Sequence, residues 1–140
     1  MQTLNTLLRM KHHAPSGMYY NWYDEASGEV ITTWPDDGSR VYPFLSSVDN
    51  GWLAAGLYMV ANAEPSLRAQ ARTLADSMDF GFFYDAVQGQ LYGGAWTEQP
   101  NGTSEPERDG YWFTSHRYGT LNTEPRIASY IGIAQGRIPP

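Results

Sequence analysis

Residues 44–85 constrain the fold of this chain most, because they contain two amphipathic helix patterns separated by a very short connection. Apolar residues recur three or four positions apart in each pattern, so each predicted helix has one apolar face. Since only residues 62–64 remain to reverse the chain, the sequence predicts an antiparallel helical hairpin. The apolar positions are Leu53, Leu57 and Val60 in the first helix and Leu67, Ala71, Leu74 and Met78 in the second.

Each of these helices has a recognisable start. Ser46 is followed three residues later by Asp49, which is the form of a capping box. Pro65 suits the first turn of the second helix, where its missing N–H loses no hydrogen bond. We therefore expect the first helix to begin after Ser46 and the second to begin at Pro65.

The rest of the chain alternates helix patterns with aromatic segments. Residues 3–10 and 122–136 have helical spacing. Residues 18–34 and 80–96 each contain two aromatic or β-branched runs joined by a Gly-containing turn, which predicts short β-hairpins. Residues 97–110 are polar and rich in Pro and Gly, so we expect a long loop there. The predicted fold class is mainly α, with short aromatic β-hairpins in the connecting loops.

Charge and composition exclude several classes of function. The net charge is −6 and the nine Lys and Arg residues are scattered, so the basic face that a nucleic-acid partner requires is missing. The chain has no cysteine, which excludes disulfides and thiolate chemistry. The sequence has no metal-ligand spacing and no phosphate-binding Gly loop, so we predict no metal and no cofactor.

The length of 140 residues favours one domain. No stretch is apolar enough to span a membrane or to act as a secretion signal, so we expect no membrane span. The sequence leaves the compartment open; the protein would be periplasmic or secreted if an export signal precedes this chain.

Aromatic residues are the main indication of a binding surface. They make up 14% of the chain, which is high for a helical domain, and aromatics in loops often contact ligands. Tyr20, Trp22 and Asp24 alternate along a predicted strand and should face one way. Flat aromatic faces suit the C–H face of a pyranose, and a carboxylate accepts hydrogen bonds from its hydroxyls. Trp96 and Trp112 suit the same role, although packing against helix ends would explain all these residues equally well.

Three segments resemble the bacterial glucoamylase-like family, whose members are (α/α)6 toroids acting on glucans, including β-1,2-glucans. They are FLSSVDNGWLAAGLYMV, MDFGFFYD and NTEPRIASYIGIAQGRIP, and the most specific part is the cluster of Glu124, Arg126, Ala128 and Ser129. The resemblance implies helical hairpins of an incomplete α/α toroid, because the chain has patterns for only four helices. It also implies that residues 1–140 form a single domain cut from a larger ring, with an exposed helix face available for self-association.

The resemblance also suggests which residues would carry the chemistry. Glycoside hydrolysis needs a general acid and a second carboxylate. Glu124 is the candidate acid, and interaction with the helix dipole explains it equally well. Asp49 is the second carboxylate, with the capping box as its alternative. Asn50, Trp52 and Arg126 are candidate sugar contacts, for which helix capping, packing and surface ion pairing are the alternatives.

The sequence thus predicts a glycan hydrolase that acts on an oligo- or polysaccharide through paired carboxylates in a cleft at the helix ends. Two alternatives stay open. One is a noncatalytic carbohydrate-binding protein that uses the same aromatic residues, and the other is a structural remnant that binds nothing.

Overall fold

A computed structural model describes residues 2–118 and 124–140. These residues form four helices of the α type, one 3-10 turn and three antiparallel sheets, with 36% of the described residues helical and 19% in strands. The chain is therefore a small mixed α/β protein, and the prediction of a mainly α fold is wrong. Segments expected to form separate short hairpins between helices instead contribute strands to shared sheets, which bury Leu45, Ala95 and Phe113 on one face.

The elements follow one another along the chain with short connections. The helices are α1 (Gln2–Arg9), α2 (Ser47–Ala63), α3 (Arg68–Ser77) and α4 (Arg126–Ala134), and a 3-10 turn covers Phe80–Phe83. The strands are β1 (His12–His13), β2 (Met18–Tyr19), β3 (Phe44–Ser46), β4 (Tyr84–Asp85), β5 (Gln90–Tyr92), β6 (Gly94–Trp96), β7 (Glu107–Arg108), β8 (Tyr111–Phe113) and β9 (Arg117–Tyr118). The sheets have the orders β1-β2, β3-β6-β8-β7 and β4-β5-β9.

The predicted helical hairpin is confirmed as α2 and α3. The Ser46 hydroxyl accepts a hydrogen bond from the Asp49 N–H at 3.2 Å, so Ser46 caps α2. The Tyr58 hydroxyl donates to Asp76 at 2.8 Å, and the Arg68 side chain donates to the Ala61 carbonyl at 3.0 Å. Because the later residue of α2 pairs with the earlier residue of α3, the helices are antiparallel.

The start of α3 differs from the prediction. The helix begins at Arg68, three residues after Pro65. The Glu64 carboxylate accepts hydrogen bonds from the Ser66 N–H at 3.1 Å and from the Ser66 hydroxyl at 2.7 Å. A side chain that binds the local backbone in this way stabilises a turn in competition with the helix.

The hydrophobic core lies between α2, α3, α4 and one face of the four-stranded sheet. α2 approaches α4 closely at Gly51, where a Cβ atom would lie 3.0 Å from both Ala128 and Ile127. The small residues on these helices therefore set the distance between them. The buried core includes Leu45, Ala54, Leu57, Ala61, Ala71, Leu74, Ala75, Phe80, Phe83, Ala95, Phe113, Ala128 and Ile131.

One type of turn recurs four times in the described chain. In each copy the carbonyl of the first residue accepts a hydrogen bond from the N–H of a glycine four residues later, at 2.8–2.9 Å. Each glycine has a φ of 65–75°, a left-handed conformation that glycine adopts without a steric penalty. The pairs are His13 and Gly17, Asp24 and Gly28, Trp34 and Gly38, and Asp85 and Gly89.

Two predicted loop segments differ from the structure. Residues 18–34 do not form one hairpin, because Met18–Tyr19 pairs with His12–His13. Two successive turns follow, and each is closed by an isolated bridge, Tyr23 with Val30 and Thr33 with Arg40. Residues 97–110 are not one long loop, since Glu107–Arg108 forms β7 and pairs with β8 through the two-residue turn Asp109-Gly110.

The outer surface of α2 and α4 remains apolar. Trp52 and Met59 on α2 and Tyr130 on α4 are all exposed. Self-association through a helix face stays a prediction. None of the helices in the described ranges combines the length and the apolarity needed to cross a membrane, in agreement with the sequence analysis.

Candidate functional site

Three aromatic residues stand directly opposite one another on the four-stranded sheet. Phe44 of β3 pairs with Trp96 of β6, and Trp96 pairs with Trp112 of β8. Glu107 of β7 is the next residue opposite Trp112. Directly opposed residues of antiparallel strands share one face of a sheet, so these side chains form a line across the strands.

The other face of the same sheet belongs to the core. Leu45, Ala95 and Phe113 are also opposed to one another, and each is at most 1% exposed. Since successive residues of a strand point to opposite faces, burial of this set puts Phe44, Trp96 and Trp112 on the outer face. Those three side chains are only partly buried.

Two more tryptophans extend this line beyond β3. The Trp22 ring stacks on Phe44, with centroids 6.2 Å apart and an interplanar angle of 28°. Trp34 meets Trp22 edge-on, with centroids 5.5 Å apart. We call Trp22, Trp34, Phe44, Trp96 and Trp112 the aromatic row.

Polar groups accompany the aromatic row. The carboxylate of Glu98 pairs with the guanidinium of Arg40 at 2.5 Å, and Arg40 also lies 5.6 Å from the centre of the Tyr42 ring. Glu98 follows Trp96 by two residues, and Glu107 faces Trp112 across the strands. The row therefore has both hydrogen-bond donors and acceptors close to its apolar rings.

Asn50 has a structural role in this fold. It is 2% exposed, and its Oδ1 accepts a hydrogen bond from the Tyr19 N–H at 2.8 Å. Its Nδ2 donates to the carbonyls of Tyr19 at 2.9 Å and Ser46 at 2.8 Å. The amide that the sequence analysis assigned to a sugar thus joins β2 to the start of α2.

Asp49 lies at a separate cavity of about 300 Å³ between α1, β2 and α2. Tyr20 lines this cavity as well, and the Tyr20 N–H donates to the Tyr23 hydroxyl at 2.9 Å. Burial raises the pKa of the Tyr23 hydroxyl to about 12. The lining comprises Leu7, Met10, Tyr19, Tyr20, Asn21, Tyr23, Asp49, Asn50 and Leu53.

Tyr20, Trp22 and Asp24 are not brought together. Tyr20 lines the Asp49 cavity and Trp22 lies in the aromatic row. The Asp24 carboxylate accepts hydrogen bonds from the N–H groups of Ala26 at 3.1 Å and Ser27 at 2.7 Å, which lowers the pKa of Asp24. The three separate because β2 ends at Tyr19, so the alternation expected of a strand does not continue.

Glu124 and Arg126 have neighbours outside the Asp49 cavity. The Trp52 indole N–H donates to the Glu124 carboxylate at 2.9 Å, and Trp52 is 50% exposed. The Arg126 guanidinium lies 5.1 Å from the centre of the Tyr130 ring. Trp52 follows Asp49 by three residues on α2, so Glu124 binds the same end of that helix on which Asp49 lies, and the predicted catalytic pair stays a prediction.

Sequence reasoning missed Phe44 and Trp34 as site residues. The sequence places Phe44 at the start of the segment predicted as a helical hairpin, although the alternation of Phe44, Leu45 and Ser46 is a weak strand signal. Trp34 precedes Pro35 and was interpreted as the end of a hairpin. Their roles depend on strand pairing, which the local pattern does not reveal.

No metal site is evident in the part of the chain that the structure describes. Within residues 2–118 and 124–140, no three or more His, Asp and Glu side chains are arranged to hold a metal ion.

Comparisons of this chain with family models, with curated proteins and with solved structures give no match. This finding and the fold together overturn the resemblance to glucoamylase-like toroids. A ring of six helix pairs requires helices packed side by side throughout, whereas four described helices here pack beside three antiparallel sheets.

Proposed function

We propose that this protein binds an oligo- or polysaccharide on the aromatic row, as a noncatalytic carbohydrate-binding protein. The observation that carries the proposal is the line of Phe44, Trp96 and Trp112 on the outer face of a sheet whose inner face is buried. Trp22 and Trp34 lengthen that line through ring contacts.

The chemistry of the row suits a sugar chain. Aromatic rings offer apolar faces to the C–H groups of a pyranose, while nearby polar groups bind its hydroxyls. Four rings of the row are partly buried and Trp34 is 37% exposed, so the row offers a partly exposed apolar surface, a feature that often marks an interaction site. Arg40, Glu98 and Glu107 supply the donors and acceptors, and pairing of Arg40 with Glu98 offsets two of the three charges.

Hydrolysis stays a prediction without a specific geometric observation in its favour. Two carboxyl groups must flank the same glycosidic bond, about 5–10 Å apart, for either stereochemical course. Asp49 lines the cavity beside α1, whereas Glu124 accepts a hydrogen bond from Trp52. Binding therefore accounts for more of the geometry than cleavage does.

Titration calorimetry with soluble glucan oligosaccharides of several linkages tests the proposal. We expect Trp96→Ala to weaken binding about tenfold or more, since truncating a central aromatic contact commonly costs over 1 kcal/mol. Met59→Ala is the control, because Met59 is an exposed apolar residue on α2, away from the sheet.

A second variant tests whether Trp52 of α2, and not the aromatic row, binds the glycan. Trp52→Ala removes an exposed tryptophan that contacts Glu124 but is not in the row. If Trp52→Ala abolishes binding and Trp96→Ala leaves it unchanged, the row is not the binding site. Absence of binding by the wild-type protein to every glucan tested would also reject the proposal.

A further inference from the structure

We propose a second saccharide-binding site, in the cavity between the β1-β2 turn, the 3-10 turn and the β7-β8 hairpin. The cavity volume is about 460 Å³, within the range of about 300–1,000 Å³ that is usual for small-molecule sites. This inference rests on the proposed function, since it assigns the same ligand class to another surface. The lining residues are Pro15, Asp79, Gly81, Phe82, Arg108, Asp109, Tyr111 and Phe113.

An aromatic wall forms one side of this cavity. The Phe82 ring contacts the rings of Tyr111 and Phe113, with centroids 5.2 Å and 5.3 Å away. The buried His13 ring supports this wall from behind, at 5.0 Å from Tyr111 and 5.3 Å from Phe82. These edge-to-face and tilted ring contacts hold the rings in place before a ligand arrives.

Arg108 is held rigidly in the same wall. Its guanidinium lies 4.2 Å from the centre of the Phe113 ring. The guanidinium donates to the carbonyl of Tyr84 at 2.9 Å and also to the carbonyl of Phe82. A guanidinium fixed in this way loses little side-chain entropy when it binds a further group.

The charges around the cavity favour an uncharged ligand. Arg108 contributes one positive charge, and Asp79 and Asp109 contribute two negative ones. Arg137 lies 3.9 Å from Asp79 and offsets one of the carboxylates. A nearly neutral site with an aromatic wall, two carboxylates and a guanidinium matches a neutral molecule rich in hydroxyl groups, which is the chemistry of a saccharide.

The β7-β8 hairpin would then serve two sites on opposite faces. Glu107 and Trp112 belong to the outer face with the aromatic row, while Arg108 and Tyr111 line the cavity. The turn between them is Asp109-Gly110, in which both residues have positive φ values of 56° and 82°. This two-residue turn is the tight type that matches the twist of a hairpin. The protein would therefore bind glycan at two places.

Calorimetric stoichiometry with the oligosaccharide that binds wild-type protein most tightly tests the inference. We expect two equivalents for the wild type, and we expect one of the two sites, a different one in each variant, to weaken about tenfold or more in Trp96→Ala and in Asp109→Gly. Asp109→Gly removes the carboxylate but keeps the turn, because glycine adopts a positive φ readily. The cavity affinity should fall about tenfold or more in this variant. Glu25→Ala, in an exposed turn, is the matched control, and thermal melting checks that each variant folds.

The outcomes distinguish the two sites. One equivalent in the wild type, lost in Trp96→Ala and retained in Asp109→Gly, overturns the second site and leaves the aromatic row intact. One equivalent that Asp109→Gly abolishes and Trp96→Ala leaves unchanged supports the cavity and rejects the row. Two equivalents that both keep their wild-type affinity in Asp109→Gly overturn the assignment of the second site to this cavity.

Discussion

Phe44 and Trp96 lie directly opposite each other on β3 and β6, with ring centroids 4.7 Å apart and an interplanar angle of 48°. Gly94, two residues before Trp96, makes this contact possible. A Cβ atom at position 94 would lie 2.2 Å from Cζ of Phe44 and 2.4 Å from the Leu45 carbonyl oxygen. The Phe44 ring therefore occupies space that only a glycine leaves free.

We predict that Gly94→Ala destabilises the protein and weakens glycan binding together. Overpacking at a tight contact typically costs about 1–3 kcal/mol. Because the Phe44 ring would have to move, the aromatic row would lose its continuity next to Trp96. Urea denaturation measures the free energy of unfolding, and calorimetry measures the affinity.

Gly56→Ala is the matched control for that substitution. Gly56 lies within α2, and an added Cβ there would meet no heavy atom within 4 Å. Alanine in a helix interior is more stable than glycine by about 0.5–1 kcal/mol, so this variant should gain stability. Equal stability of the Gly94→Ala variant and the wild type would contradict the account of Phe44.

We predict that Asn50→Ala lowers stability without a direct effect on sugar binding. The substitution removes the partner of the buried Tyr19 N–H and also two hydrogen bonds to the carbonyls of Tyr19 and Ser46. Each buried polar group left unpaired costs about 1–3 kcal/mol. The urea midpoint should fall markedly, while the glucan affinity of the folded fraction stays at the wild-type value. A specific loss of affinity at unchanged stability would return Asn50 to the list of sugar contacts.

We predict a loss of stability in acid that depends on Asp85. The Arg117 guanidinium donates to this buried carboxylate at 2.5 Å and holds its pKa below the usual value, with help from the N–H groups of Val87 and Gln88. A lowered folded-state pKa means that the stabilisation is complete above the unfolded-state value of about 4 and is lost as the pH falls through the folded-state pKa. Denaturation curves between pH 7 and pH 2 should show a flatter acid limb for Asp85→Asn. Identical acid limbs would contradict this role.

We predict a second pH effect that comes from His13. Burial, and then the proximity of His12, lowers the pKa of the His13 imidazole, which also hydrogen-bonds to the Ser16 hydroxyl at 2.8 Å. The unfolded chain takes up this proton near pH 6.5, before the folded protein does, so stability should fall as the pH drops through that value. The decline should stop once the pH is below the folded-state pKa.

His13→Gln should remove that part of the pH dependence, because glutamine does not titrate. Urea denaturation at intervals between pH 8 and pH 5 measures the effect. His12→Gln should reduce the pH dependence only in part, because burial is the larger cause of the lowered pKa of His13 and the proximity of His12 is the smaller one. A wild-type stability that stays constant across this range would disprove the assignment.

Local patterns predicted the helices well and the sheets poorly. Ser46 capped α2 as expected because a cap depends on residues three positions apart. The pairing of Phe44 with Trp96 joins residues more than fifty positions apart, and no nearby residue indicates it. The same limit applies to the candidate site, since Trp22 and Trp96 were identified as sugar contacts but the contacts that unite them through Phe44 were not.

The resemblance to a toroid family failed for a related reason. The segments that carried it cover most of α2, the 3-10 turn with β4, and the region of α4, so they are local sequence patterns that do not specify how the helices pack. The intervening aromatic segments, which the resemblance treated as loops, form the sheets that determine the fold.

The sequence by itself determined the antiparallel pair of α2 and α3, the helical character of α1 and α4, and the glycine positions at the tight turns. Helical spacing and left-handed φ values depend on only a few adjacent residues, so the local sequence is enough to specify them. Only the tertiary structure decided that Trp96 and Trp112 share an outer face with Phe44, and that Glu124 accepts a hydrogen bond from Trp52 of α2. Strand partners and side-chain neighbours depend on contacts between distant parts of the chain, and burial of Leu45, Ala95 and Phe113 in the core is what selects which face of the sheet remains outside.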